Sequence, residues 1–309
     1  MTLYIIRRFL QAIPVFFGTT LLIYFMVFVM PGDPIIALFG DKSPNPAVIE
    51  QLRAQYHLDQ PFIVQYFLYI GGLFQGDFGV SFSGEPINSI LLRTFPVTAQ
   101  LATMALGMLA GAGILVGLVS GLRKGKFFDN SSLAVSLILI SLPIFVTAFV
   151  VQYVFGVWLG WFRTTVGSGA PFQDLIMPAV VLASATFAQV MRLTRSSTLE
   201  TMNQDFVRTA YSKGLSRRRV IPVHILRNSL IPSVTYLATD FGVLLVGATI
   251  TEGIFNVPGV GNTLYQAIIR GEGPTVVSFV TVMVLLYLAV NLIVDLLYGL
   301  LDPRIRYVK

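Results

Sequence analysis

The chain of 309 residues has no cysteine, only two histidines, and charge on just 12% of its positions. Without cysteine there is no disulfide framework, no thiolate metal site and no cysteine nucleophile, and the absence identifies no compartment. His57 and His224 are far apart, and neither has a second ligand at metal-binding spacing, so no metal is expected. Soluble domains carry roughly 25% charged residues. Here 55% of the residues are hydrophobic, and so few charges cannot cover the apolar surface that a soluble core would leave outside. A bilayer is the solvent this composition fits.

Catalytic signatures are also missing. The nearest approach to a phosphate-binding loop is Gly121-Leu-Arg-Lys-Gly125-Lys126. That loop needs four residues between its first glycine and Gly-Lys, then Ser or Thr. Only three intervene, and Phe127 follows. There is no Gly-x-Ser-x-Gly elbow and no plausible Ser/His/Asp set. No catalytic residue and no ATP site of its own are therefore expected, which disfavours a membrane enzyme.

What is present is a series of long apolar runs. Phe9–Met30, after Arg7 and Arg8, covers 22 residues, roughly 33 Å as a helix, and ends in Pro31-Gly32-Asp33-Pro34. It is too long for a signal-peptide core and is read as a retained first span over 1–30. Five more spans are expected near 97–122, 131–157, 175–195, 230–250 and 276–300. Backbone groups in hydrocarbon must pair internally, so these are helices, and no ten-residue alternating strands point to a barrel. Pro143 is expected to kink the third span. In the second, Gly107-Met-Leu-Ala-Gly111 and Gly113-Ile-Leu-Val-Gly117 fit the small-xxx-small pattern, read as packing within the chain rather than a dimer seam.

Lys and Arg set the orientation. Placing both termini, the 122–131 connection and the 192–229 segment on one side puts 16 of the 21 basic residues there and 5 on the other. That side is cytoplasmic. The net charge of +6 is thereby explained by topology and needs no nucleic-acid partner. The expected fold is all-α: one polytopic domain over 1–309, about six transmembrane helices, both ends inside. The outer segment 31–93 is long, with short helices expected at Pro46–Leu58 and Pro61–Leu73, the second an aromatic one suited to the membrane interface. Residues 94–309 form the remaining five spans.

Polar residues inside spans are candidates for function. Asp240 lies about mid-span. It either lines a pathway and meets a substrate's amino group or pairs with a neighbour for packing. Gln189 and Thr239 are the other pathway candidates, although interhelical hydrogen bonding is the commoner role for Gln100, Gln152 and Gln189. Asp295, near the inner end of the last span, is read as a packing residue. The cytoplasmic segment DFVRTAYSKGLSRRRVIPVHILRNSLIP (Asp205–Pro232) reads as a helical turn, a glycine, a basic stretch and a second helix. Such a hairpin either docks into a partner or simply fixes topology.

This segment resembles the coupling loop of ATP-binding-cassette importer permeases. Arg208-Thr209-Ala210 stand at that loop's Glu-Ala-Ala positions, and Gly214 at its glycine. The general pattern is met only at Ala210, Gly214 and Leu226. The peptide/nickel branch is matched further, at Thr209, Lys213, Leu215, His224, Arg227, Asn228, Leu230 and Pro232. Segments PGDP (Pro31–Pro34), YHLDQPFIVQY (Tyr56–Tyr66), GDFGVSF (Gly76–Phe82), FPVTAQLA (Phe95–Ala102), TEGIFNVPGVG (Thr251–Gly261) and VDLLYGLLDPRIRY (Val294–Tyr307) match the same branch in order. The resemblance covers nearly the whole chain and is closest to the first permease subunit of dipeptide and oligopeptide importers.

The resemblance implies a type I importer permease in a bacterial cytoplasmic membrane. Its implied partners are a second, similar permease, two ATPase subunits and an extracytoplasmic solute-binding protein. ATP and Mg would be bound by the ATPases, with no cofactor in this chain. The coupling loop over 200–229 would meet an ATPase through Arg208, Thr209, Ala210, Lys213, Gly214 and Leu215. Residues Glu252, Phe255, Asn256, Pro258 and Gly259 of an outer loop would face the binding protein, unless that loop merely plugs the outer mouth. The cargo would be a peptide, with nickel, glutathione or another small solute as the alternative within the branch. An ion-coupled secondary transporter is the reading from a different class, for which Asp240 alone is thin support.

Overall fold

The computed structural model describes residues 2–29, 35, 46–56 and 58–301. The PGDP segment, His57 and the charged C-terminal end lie outside the described residues. The described residues are mostly helical. Among the described residues the only strand-like pairing is one isolated antiparallel bridge between Val80 and Pro86. Among the described residues five helices are long and apolar enough to cross a membrane, six if one sharply bent pair counts as a single span. The chain divides into two compact units, residues 1–98 with 258–309 and residues 99–257.

The first unit holds α1 (Thr2–Phe28), the short α2 (Pro46–Gln55) and α3 (Phe62–Phe74), the outer part of α4 (Ile87–Leu122), α11 (Val260–Ile269) and α12 (Gly273–Leu301). The two short outer helices fall where the sequence puts them. Helix α1 packs along α12, and Arg8 clasps Asp295 through two bonds of 2.8 Å. Asp295 is thus the packing residue the sequence reading makes it. Helix α3 lays its tyrosines onto both long helices. The Tyr66 hydroxyl meets Thr20 Oγ1 at 2.9 Å, and the Tyr69 hydroxyl donates to Thr281 at 2.8 Å. Around these bonds Tyr24, Tyr66, Ile70 and Val277 form a buried cluster. Ile63, Val64, Phe67 and Leu68 on the other side of α3 are exposed, so this helix has an apolar outer face and an inner face whose hydroxyls are paired, as hydrocarbon demands.

The second unit holds the rest of α4, then α5 (Phe127–Ser141), α6 (Ile144–Val151), α7 (Ile176–Met202), α8 (Asp205–Ser212), α9 (Arg217–Val220) and α10 (Arg227–Phe255). Pro143 does more than kink the third span. It is the N-cap of α6, and the two halves of that span meet at 107°. Proline lacks the N–H that would continue the helix, and its ring clashes with the preceding turn. Helix α6 then widens into a π-helical stretch, Gln152–Trp158. There the Gln152 amide donates to the carbonyl oxygens of Thr164 at 2.7 Å and Ile254 at 3.4 Å, the interhelical role expected of it.

Helix α7 is the axis of this unit and packs against α5, α6 and α10. It also lies close to α4, and the glycines explain how. A methyl group on Gly113 would come within 2.9 Å of Val190, on Gly117 within 2.5 Å of the Met191 carbonyl oxygen, and on Gly121 within 2.8 to 2.9 Å of Thr198. Gly113, Gly117 and Gly121, spaced by four, therefore let two backbones touch. A β-carbon on Gly107 or Gly111 would meet nothing. Of the two small-xxx-small patterns, only the one beginning at Gly113 packs within the chain.

Candidate coupling element and translocation pathway

Helix α8 is short and two-sided. Val207 and Ala210 are buried, with Val220 and Ile225 from the following turns and with Leu122, Met202, Leu215 and Ile221 packed around them. Phe206, Arg208, Thr209, Tyr211 and Lys213 remain exposed. The helix stops in a Schellman motif. Lys213 is the C-cap, Gly214 adopts φ +78°, the Gly214 N–H reaches the Tyr211 carbonyl at 2.9 Å, and the Leu215 N–H reaches back to Ala210 at 3.3 Å. Leu215 then packs onto the same buried cluster, the apolar contact that accompanies this motif.

Two corrections follow for the coupling residues. Ala210 is only 4% exposed, and Leu215 belongs to the packed cluster. Ala210 is turned into the membrane portion, while Leu215 is half-buried against the same cluster. Conversely, Phe206 and Tyr211, 43% and 45% exposed, escape a reading by motif position; on the helix they flank the buried Val207 and Ala210 on either side. The presented face is Phe206, Arg208, Thr209, Tyr211 and Lys213. The basic stretch is not a separate second helix. Arg217–Val220 continues through a π-helical turn at Ile221–Leu226 into α10, so the element is rooted in a span.

Beneath it lies a buried ion pair that the sequence reading missed. Asp129, in the first turn of α5, is 1% exposed. Arg195 on α7 grips it with two bonds, Nε to Oδ1 at 2.6 Å and a terminal nitrogen to Oδ2 at 2.8 Å. The Ser120 hydroxyl donates to Oδ1, and the Gly125 N–H donates to Oδ2 at 2.9 Å. One carboxylate thus binds the end of α4, the α4–α5 turn, α5 and α7. In sequence, Arg195 looks like one more cytoplasmic charge and Asp129 like an ordinary acid at a helix start.

Asp240 on α10 is 5% exposed and faces α7. Its Oδ2, and the hydroxyl of Thr186 that faces it from α7, are buried without a conventional hydrogen bond among the described residues. Near the inner end of the same pair of helices, Thr194 and Ser233 join their hydroxyls at 2.7 Å. The other two pathway candidates fare differently. Thr239 donates its proton to the Tyr236 carbonyl at 2.8 Å, so it cannot also donate to a substrate. Gln189 is exposed, placed for a partner or solute outside this chain, and the structure does not group it with the buried Asp240.

The outer loop expected at Thr251–Gly261 is largely helix. Helix α10 runs to Phe255 and ends at Asn256 in the left-handed region, φ +50°. Glu252 and Phe255 are wholly buried, and the Phe255 carbonyl accepts from Val166 N–H at 2.9 Å. Gly259 is buried as well. These three cannot face a docked protein, because this chain already covers them. Only Asn256 and Pro258 of the five are exposed.

A bundle of apolar helices carrying a short two-sided helix on a glycine-ended turn fits a multi-pass membrane permease subunit. The comparisons agree. Residues 113–307 match the model of the binding-protein-dependent transport system inner membrane component, and residues 1–102 match the N-terminal model of the same membrane component. The chain belongs to this family of multi-pass inner membrane permeases. It is 37% identical to the di/tripeptide transport system permease protein DppB of Pseudomonas aeruginosa, over 98% of each chain. It is 36% identical to the dipeptide transport system permease protein DppB of Escherichia coli K12, over 99% of each. A putative peptide transport system permease of Brucella abortus is 36% identical over 99% of this chain and 100% of its own length.

Proposed function

We propose that this permease forms half of the pathway through which an ATP-driven importer moves di- and oligopeptides, opposite a second, similar permease. The observation that carries the coupling part is the exposed face of α8. An aromatic and basic patch on a short helix, anchored from behind by Val207 and Ala210, is the shape that docks in a partner's groove. The partners would be two ATPase subunits, one per permease, which bind ATP and Mg; this chain needs no cofactor. Closure of the ATPases would pull on α8, and α8 is continuous through the Schellman turn with the root of α10. ATP thereby supplies the differential free energy between two pathway states. A solute-binding protein would deliver the cargo at the outer side, where Asn256 and Pro258 are exposed. The peptide assignment draws on what the relatives are named for.

The test is reconstitution of the complete transporter with Phe206→Ala and Tyr211→Ala together. Peptide uptake should fall severalfold while the chain still folds and inserts. Normal uptake with the ATPases still bound would overturn the docking face. Uptake driven by an ion gradient without ATPase subunits would replace the importer reading by a secondary transporter.

A further inference from the structure

At the cytoplasmic turn between α4 and α5 a cavity of about 780 Å³ opens within the second unit. Arg123, Lys126 and Arg217 line it together with apolar Leu122, Phe127 and Ile221. No carboxylate lines it. Asp129, one turn into α5, is committed to Arg195, Ser120 and Gly125. Among the described residues none of the three lining cations has an ion pair or a side-chain hydrogen bond. Three like charges face one space with nothing opposite them.

Two further features fit the same occupant. Helix α5 begins at Phe127, and its N-cap, Lys126, supplies no side-chain cap. The amides of its first turn therefore lack a side-chain partner at the helix end that attracts anions. Phe127 is 88% exposed at the head of an apolar span, the level at which headgroups meet hydrocarbon and aromatic side chains collect. A free phosphate would satisfy the cations and leave the apolar lining unmatched. A phospholipid satisfies both: its phosphate meets the cations and the helix end, while its glycerol and first methylenes lie along Leu122, Phe127 and Ile221.

We propose that this cavity binds the headgroup of an anionic phospholipid of the cytoplasmic leaflet. The lipid would clamp the α4–α5 turn, through Arg123 and Lys126, to Arg217, the first residue of α9, three residues past the coupling glycine. The inference rests on the cytoplasmic placement of this face and is independent of the cargo and of ATPase docking.

The full chain is placed in phosphatidylcholine nanodiscs containing a minor fraction of phosphatidylglycerol, and retained lipid is counted by native mass spectrometry after detergent release. The wild type should prefer phosphatidylglycerol by about tenfold, the ratio given by some 1.4 kcal/mol. R123Q/K126Q/R217Q should lose that preference, and so, in large part, should R217Q alone, an exposed change that leaves the fold intact. K124Q removes the same charge outside the lining and should keep the preference. Unchanged preference in the triple variant overturns the proposal. So does displacement of the lipid by millimolar inorganic phosphate, which would make the site one for a free anion. Loss of ATPase co-purification with unchanged lipid retention would assign the surface to a protein and overturn it equally.

Discussion

Asp129 and Asp240, two of the carboxylates buried in the second unit, have surroundings that differ in kind. Asp129 meets Arg195, Ser120 and Gly125, with both oxygens engaged. Asp240 leaves one oxygen without a conventional bond and faces a threonine hydroxyl in the same condition. Desolvating a carboxylate is costly unless partners repay it. The first site repays it within this one conformation and belongs to the architecture. The second is not repaid in the same way, so it is met by protonation, by the nearby Thr186 hydroxyl, or by a ligand, water or partner chain. A fully satisfied charge marks where the fold is held; an under-satisfied one marks a site to test for use.

The sharpest way to break this comparison is Asp129→Asn. It leaves Arg195, 20% exposed, without its counter-charge, and removing one partner of a buried pair costs roughly 3 to 5 kcal/mol. The lower end applies here because Arg195 keeps some solvent. Thermal unfolding of the purified chain should shift sharply downward, and adding Arg195→Gln should recover part of the loss. A small shift would mean the pair is weaker than its geometry.

Next in size is Gly117→Ala against Gly111→Ala. At Gly117 the new methyl lies 2.5 Å from the Met191 carbonyl oxygen, a backbone atom that cannot turn aside. Helices α4 and α7 must part, at about 1 to 3 kcal/mol. At Gly111 the space is open, and alanine should be neutral or stabilise by up to about 1 kcal/mol through helix propensity. Equal unfolding temperatures for the two variants would sink the packing assignment. A chain carrying Gly111→Ala that is stable alone but no longer assembles with its second permease would identify the open face as the subunit seam.

Gly214→Ala is smaller again for stability. No neighbour would touch the new methyl, so the cost is the left-handed backbone alone, φ +78°, on the order of 1 kcal/mol. Gly214→Asn, which tolerates that region better, should lie between. The informative readout is the ATP hydrolysed per peptide imported, which should rise in the order Gly, Asn, Ala if the Schellman turn holds α8 in register.

Much of this was legible in the sequence, and the reasons it stopped are physical. Hydropathy and the Lys/Arg bias found the spans and their direction because they report transfer into one solvent, a property of each segment alone. The break at Pro143 was visible as a kink but not as a 107° turn, since proline removes a hydrogen bond without saying how far the chain will swing. The motif locates the coupling segment but does not separate buried Ala210 from exposed Phe206 and Tyr211. Those aromatics flank the buried face, and tertiary packing decides which positions are covered. Glu252 and Phe255 looked like loop residues because Gly253, Pro258, Gly259 and Gly261 surround them, and their burial is tertiary. Asp129 and Arg195 are 66 positions apart, and nothing local pairs them.

The finest distinction concerns Asp240→Asn. The substitution keeps the shape and removes a charge whose burial is not repaid as that of Asp129 is. Unfolding temperature should therefore stay level or rise slightly, the opposite of Asp129→Asn. If the carboxylate serves a peptide's ammonium group, the concentration for half-maximal uptake should increase severalfold, because a charged hydrogen bond contributes about 1.5 to 3 kcal/mol. The ATPase activity of the assembled transporter without substrate should be unchanged, since α8 is untouched. Thr186→Val, which removes the facing hydroxyl, should give a weaker effect in the same direction. Marked destabilisation by Asp240→Asn would make this carboxylate a second Asp129, with partners supplied by the other permease, and the distinction between a charge that holds and a charge that is used would fail at the site where it matters most.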